Sequence, residues 1–127
     1  MGVTIHHVDR HIDAGDIAFQ RAVSLSWTDT GETIYAKSRR ALIELFEEVY
    51  PRICELKIPR IKQDLDAGSF HRRGELDGAS FIDLDNSYTG RQLLNLLRAR
   101  TFPGHPSCWF RADGKTYEVS INIRAKT

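Results

Sequence analysis

Apolar and polar residues alternate in the first part of the chain and then change period. Between Gly2 and Val8, the side chains of Val3, Ile5 and His7 share one face and Thr4, His6 and Val8 the other, the two-residue period of a β-strand. An acidic turn from Asp9 to Asp16 follows, closed by Gly15. From Ile17 to Trp27 the alternation resumes, with Phe19, Val23, Leu25 and Trp27 set against Gln20, Ser24 and Ser26, which predicts a second strand. The period then lengthens. Ile34, Ala41, Leu42, Leu45, Val49 and Ile53 recur at spacings of three and four, the stripe of an amphipathic helix. Asp29, with Glu32 three residues on, reads as its capped start. Arg40 and Glu44 are spaced to pair on its surface. Pro51 bends the helix or starts a new turn, and Pro59 ends it.

The stretch from Ile58 to Asp66 has no regular period. From Ala67 to Gly78 the run Gly68-Ser69-Phe70-His71-Arg72-Arg73-Gly74 is rich in turn formers and basic, and reads as a linker with Arg72 and Arg73 solvated. This divides the chain into residues 1–66 and 67–127. Ser80 to Asp85 predicts a short strand. Asn86 or Ser87 would cap a helix from Tyr88 to Thr101, apolar over a wide arc through Leu93, Leu94, Leu96 and Leu97 and so largely buried. Phe102-Pro103-Gly104-His105-Pro106 cannot continue it. A hairpin closes the chain: Ser107 to Arg111, a turn at Ala112-Asp113-Gly114-Lys115, then Thr116 to Ile123 with Tyr117, Val119, Ile121 and Ile123 on one face.

Composition narrows the class without choosing a function. The 127 residues are 41% hydrophobic and 28% charged, ordinary for a soluble globular protein. A formal net charge of +1 gives no electrostatic basis for general nucleic-acid binding. No apolar run approaches membrane-spanning length and no leader-like segment precedes the first strand, so no membrane association and a cytoplasmic location are expected. Cys54 and Cys108 form no CxxC pair and read as reduced thiols.

The chemistry-bearing residues gather where the first strand ends. His6, His7, His11, Asp9, Asp13 and Asp16 gather where one strand ends and the next begins, and a loop backed by a sheet is where acting groups are commonly presented. Their types suit zinc, which keeps a metal-binding domain as one reading, but their spacing matches no standard zinc signature and no metal is expected. His7 and His11 read as structural or solvated. Trp109 and Phe110 read as hairpin packing, with contact to a nucleotide ring as the alternative.

The same stretch carries a family resemblance. Gly2-Val3-Thr4-Ile5-His6-His7-Val8-Asp9, followed by Ile12-Asp13-Ala14-Gly15-Asp16-Ile17, resembles the hallmark segment of formyltransferases that use 10-formyltetrahydrofolate. These include the glycinamide ribonucleotide, methionyl-tRNA and sugar N-formyltransferases. The likeness continues through Gly31-Glu32-Thr33 and returns at Leu97-Arg98-Ala99-Arg100-Thr101-Phe102-Pro103. It implies an α/β fold: the rear portion of a Rossmann-like sheet, then a small α+β helix-plus-hairpin C-terminal part. It implies Asp13 as the catalytic loop aspartate. It also implies that Asp9, Ile12, Asp13, Ala14 and Gly15 lie along 10-formyltetrahydrofolate, with no metal. His6 falls where the family has a site-facing residue, and His105 and Trp109 are further candidates for substrate contact.

The family's Asn, and its His within a His-x-Ser-x-Leu-Pro segment, lie upstream of this strand. His105-Pro106-Ser107 echoes that segment only superficially. The missing N-terminal half of the formyltransferase is therefore an expected partner, and the chain alone is expected to be inactive. The piece from Tyr88 to Pro106 is most similar to the sugar N-formyltransferases, implying a nucleotide-linked amino sugar as substrate and a homodimer or larger assembly. The alternative is a non-catalytic remnant or oligomerisation module of the same fold.

Overall fold

The computed structural model describes residues 1–69, 71, 72 and 74–126. Phe70 and Arg73 of the predicted linker lie outside the described residues. Two compact units share the chain: Met1–Leu25 with Tyr35–Phe70, and Ser26–Ile34 with His71–Thr127.

In the first unit, β1 (Gly2–His6) and β2 (Ile17–Ala22) pair antiparallel, Gly2 opposite Ala22 and Ile5 opposite Phe19. The register slips between Ile5 and His6, so His6 faces Ile17. That bulge breaks the alternation read from the sequence, and His6 and His7 both end up half-buried. β2 is shorter than its pattern, which ran to Trp27. Val23 N donates to Met1 O at 2.9 Å just past the strand, and Leu25 and Trp27 are exposed. On its other side Ile17 forms an antiparallel bridge with Ile61, within the stretch that has no regular period.

Helix α1 (Gly31–Cys54) buries Leu45 and Val49 on the predicted stripe, with Ala41 and Ile53 half-buried along it. Leu42 is exposed instead. Residues 35–54 of the helix are tied to β2: Arg21 pairs with Glu44 at 3.5 Å and with Glu48, and Arg52 lies 4.9 Å above the Phe19 ring. Tyr35, Leu42, Ile43, Phe46 and Tyr50 form a second apolar stripe, exposed, down another face. Asp29 and Thr30 both serve the start of the helix. Thr30 and Thr33 bond reciprocally, Thr33 Oγ1 accepting from Thr30 N at 2.9 Å and Thr30 Oγ1 from Thr33 N at 3.5 Å. Buried Asp29 accepts from Ser26 N at 2.7 Å in the preceding turn and from Thr33 Oγ1 at 3.1 Å in the helix. Pro51 sits inside the helix, one turn from its end.

In the second unit, α2 (Glu75–Gly78) is a single turn within the predicted linker. The strand expected from Ser80 to Asp85 reduces to one parallel bridge, Phe81 with Trp109. Asp83 Oδ1 accepts from Asp85 N at 3.1 Å and bends the chain away, a local bond that outcompetes the ladder. Helix α3 (Gly90–Arg100) is capped by Thr89, not by Asn86 or Ser87: Thr89 Oγ1 accepts from Gln92 N while Gln92 Oε1 accepts from Thr89 N, a capping box. The hairpin of β3 (Cys108–Ala112) and β4 (Lys115–Val119) turns through Asp113 and Gly114 at φ 51° and 71°, the two-residue turn that Asp-Gly favours. β4 stops at Val119, opposite Cys108, and not at Ile123. Ile121 N instead donates to Thr101 Oγ1 at 3.0 Å.

The core of this unit is Ile82, Leu97 and Cys108, with Leu93, Leu96, Phe110, Val119 and Ile121 packed around it. Cys108 is fully buried. Burial pushes its thiol pKa up, against a smaller opposing pull from Arg100. The architecture is mixed α/β, with helices and antiparallel strand pairs, and among the described residues no helix is long and apolar enough to cross a membrane.

Candidate functional site

The turn between β1 and β2 is held rigidly although most of it faces solvent. His7 N donates to Asp16 O at 2.9 Å, extending the ladder one step past β1. Gly15 is buried against His7, and a Cβ at position 15 would collide with the His7 carbonyl oxygen. Only glycine lets the returning chain come this close. Gln63 Nε2 reaches across from the end of the same unit to donate to Asp13 O at 3.1 Å and to Gly15 O. His7 Nε2 donates to Pro59 O at 2.9 Å, a structural tie across the unit. Arg60 pairs with Asp16 at 3.3 Å. The segment from Pro59 to Gln63 thus braces the turn from outside. The sequence carries no signal for this, because the bracing residues lie some fifty positions away.

Within this frame Asp13 adopts φ 54°, a left-handed conformation that Asp tolerates better than bulkier residues, and its side chain is 87% exposed. His6 lies beside it, with Nε2 3.7 Å from Asp13 Oδ1 and the ring 30% exposed. His6 Nδ1 donates to His7 O at 2.9 Å, which leaves Nε2 as the ring nitrogen that faces Asp13. Asp9 Oδ1 accepts from His11 N at 2.7 Å and so shapes the turn itself, with the His11 ring 3.8 Å away. Ile12 and Val8, apolar residues of the same strand end and turn, are 83% and 91% exposed, and Ala14 is half-buried.

The structure therefore brings together His6, Asp9, Ile12, Asp13, Ala14 and Gly15 on one turn. His105 and Trp109 belong to the second unit. The His105 ring meets Phe102 edge-on at 4.4 Å. Trp109 packs on Phe81 at 4.7 Å, lies under Arg111, and donates its Nε1–H to Asp77 O at 3.3 Å, as the hairpin-packing reading expects. The histidines and aspartates of the turn pair off separately, and among the described residues no three metal-ligating side chains converge.

Residues 75–125 match the N-formyltransferase dimerization C-terminal domain. Over nearly its whole length the chain is similar to a 4-N formyltransferase from Francisella tularensis, with 31% identity, a TM-score of 0.88 and coverage of 97% of this chain and 51% of that one. A sugar N-formyltransferase from a Shewanella species shares the fold at 22% identity and TM-score 0.82, over 98% of this chain and 50% of that one. The formyltransferase PseJ from Anoxybacillus kamchatkensis, in complex with UDP-4,6-dideoxy-4-formamido-L-AltNAc and tetrahydrofolate, is 36% identical over 61% of this chain and 40% of its own, at TM-score 0.57. The chain spans about half the length of the first two, and the match includes both the strand–turn–strand segment and the helix-plus-hairpin part. Residues 75–125 of the chain thus carry an N-formyltransferase dimerization C-terminal domain, and over nearly its whole length the chain is similar to about half of a 4-N formyltransferase.

Proposed function

We propose that this chain supplies the loop aspartate and the dimerising part of an enzyme that moves a formyl group from 10-formyltetrahydrofolate to the amine of a nucleotide-linked amino sugar. One observation carries this reading. Asp13, in the register of the family's catalytic aspartate, stands exposed on a turn whose backbone is clamped by Gly15 and Gln63. A carboxylate on a rigid turn at a strand end is a preorganised proton acceptor. The ligands of PseJ, a formamido sugar nucleotide and tetrahydrofolate, support the substrate class.

In the reaction the amine nitrogen attacks the formyl carbon, a new C–N bond forms, and the bond from that carbon to the folate nitrogen breaks. The proton lost by the amine must reach the leaving nitrogen. Asp13 accepts and orients the group that carries this proton, and Ile12 and Val8 give the folate ring an apolar surface beside it. The Asn and His that stabilise the oxyanion in the family are supplied by the other half of the enzyme. The exposed apolar stripe of α1, from Tyr35 to Tyr50, supports a further protein surface that covers it. The match of residues 75–125 to a dimerisation domain supports a homodimer built through the second unit.

The test is a formyl-transfer assay with 10-formyltetrahydrofolate and a panel of nucleotide-linked amino sugars, read by the mass of the N-formyl product. The chain alone gives none, and the chain joined to an N-terminal formyltransferase half, fused or in trans, gives turnover. Robust turnover by the chain alone would overturn this division of labour and make His6, His7 or His11 the base.

A further inference from the structure

The second unit holds a pocket of about 450 Å³ between α2 and the segment leading from α3 into β3. Its size is within the range of small-molecule sites. Leu76, Ala99, Phe102 and Pro106 give it an apolar lining, and Arg100 and His105 supply its basic groups. Arg100 also lines the adjoining cleft with Arg72, so it borders both spaces. Arg100 is half-buried, and among the described residues its guanidinium has no carboxylate, carbonyl or aromatic partner. Two carboxylates lie nearby. Glu75 already faces the His71 ring at 3.4 Å, and Asp77 lines the pocket without an ion pair to Arg100. An arginine withdrawn from water and left without an anion is poised to take one, with its planar fork matching a phosphate or carboxylate.

We propose that this pocket binds a small organic anion, a phosphate or carboxylate carried on an apolar body, with Arg100 holding the anionic head and the Leu76–Ala99–Pro106 lining taking the body. The site lies wholly within the second unit and is independent of the Asp13 turn. It gives a role to the Arg100-Thr101-Phe102-Pro103 stretch, which the formyl-transfer reading leaves unused.

Gly74 supplies the control. It lines the pocket with φ −69°, which any residue adopts, and a Cβ there would meet nothing within 4 Å among the described residues. Gly74→Leu therefore fills the space without backbone strain. The experiment titrates the 127-residue chain with phenyl phosphate, benzoate and the neutral benzyl alcohol, following the amide resonances of Ala99, Arg100 and His105. Phenyl phosphate or benzoate is expected to bind at least about tenfold more tightly than benzyl alcohol. Arg100→Gln should remove that preference, and Gly74→Leu should weaken all three probes while the thermal midpoint stays at the parent value. Stronger phenyl phosphate binding assigns the head as phosphate, and stronger benzoate binding assigns it as carboxylate. Equal binding of charged and neutral probes, or anion binding untouched by Gly74→Leu, would overturn the proposal.

Discussion

The α-carbon of Gly15 lies directly against the carbonyl oxygen of His7, across the mouth of the turn that carries Asp13. This contact, with the His7 N to Asp16 O bond beside it, closes the turn. Gly15→Ala forces the strands apart at this point. The substitution should destabilise the fold by about 2 kcal/mol, within the range for overpacking at a site that cannot relax. Thermal unfolding checks this, and a midpoint equal to the parent's would mean the contact is loose.

Gln63 holds the same turn from the other side. Replacing it with Leu keeps most of the volume and removes both bonds to the carbonyls of Asp13 and Gly15. Each such bond contributes about 1 kcal/mol net. Amide hydrogen exchange from Asp13 to Ile17 should speed up in Gln63→Leu while exchange in the hairpin of the second unit stays as it was. Unchanged exchange in the turn would show that Gln63 only rests on it.

The turn also marks how far the sequence could be read. The strand–turn–strand order, the helix over residues 31–54, the helix before Pro103 and the Asp-Gly hairpin follow from local period and local turn chemistry, which sequence displays. Other features depend on distant partners or on competition between neighbours. The bracing by Pro59 and Gln63 and the pairing of Ile61 with Ile17 depend on residues more than forty positions away, and the early end of β4 is set by where β3 begins. The cap of α3 moved for a local reason: Thr89 reaches the first-turn amide of Gln92 and closes a capping box with it. Of the candidate site, the clustering of His6 with Asp13 was legible in spacing. The bulge that half-buries both His6 and His7 was not.

The two thiols should behave oppositely. Cys54 is exposed, whereas Cys108 is fully buried with its pKa raised by that burial. Iodoacetamide at pH 8 should label Cys54 in the folded chain and reach Cys108 only after denaturation. Because the unfolded thiol ionises near ~8.5 and the folded one higher, the stability held by a neutral Cys108 is lost as pH rises past the unfolded value. Equal labelling of both residues in the folded state would contradict the packed core.

Association is expected through the second unit. Sedimentation at micromolar concentration should show a homodimer or larger species, consistent with the dimerisation domain matched by residues 75–125. A single monomeric species would refute it.

The most direct measurement of the central claim is the rate of formyl transfer by Asp13→Asn in the enzyme completed with its N-terminal half. The exchange keeps the shape of a side chain that is 87% exposed, so circular dichroism and the thermal midpoint should match the parent. The rate should fall by at least about a hundredfold, the scale of losing a positioned proton-handling group. Turnover within a factor of about three of the parent would contradict the account and remove Asp13 from the proton path.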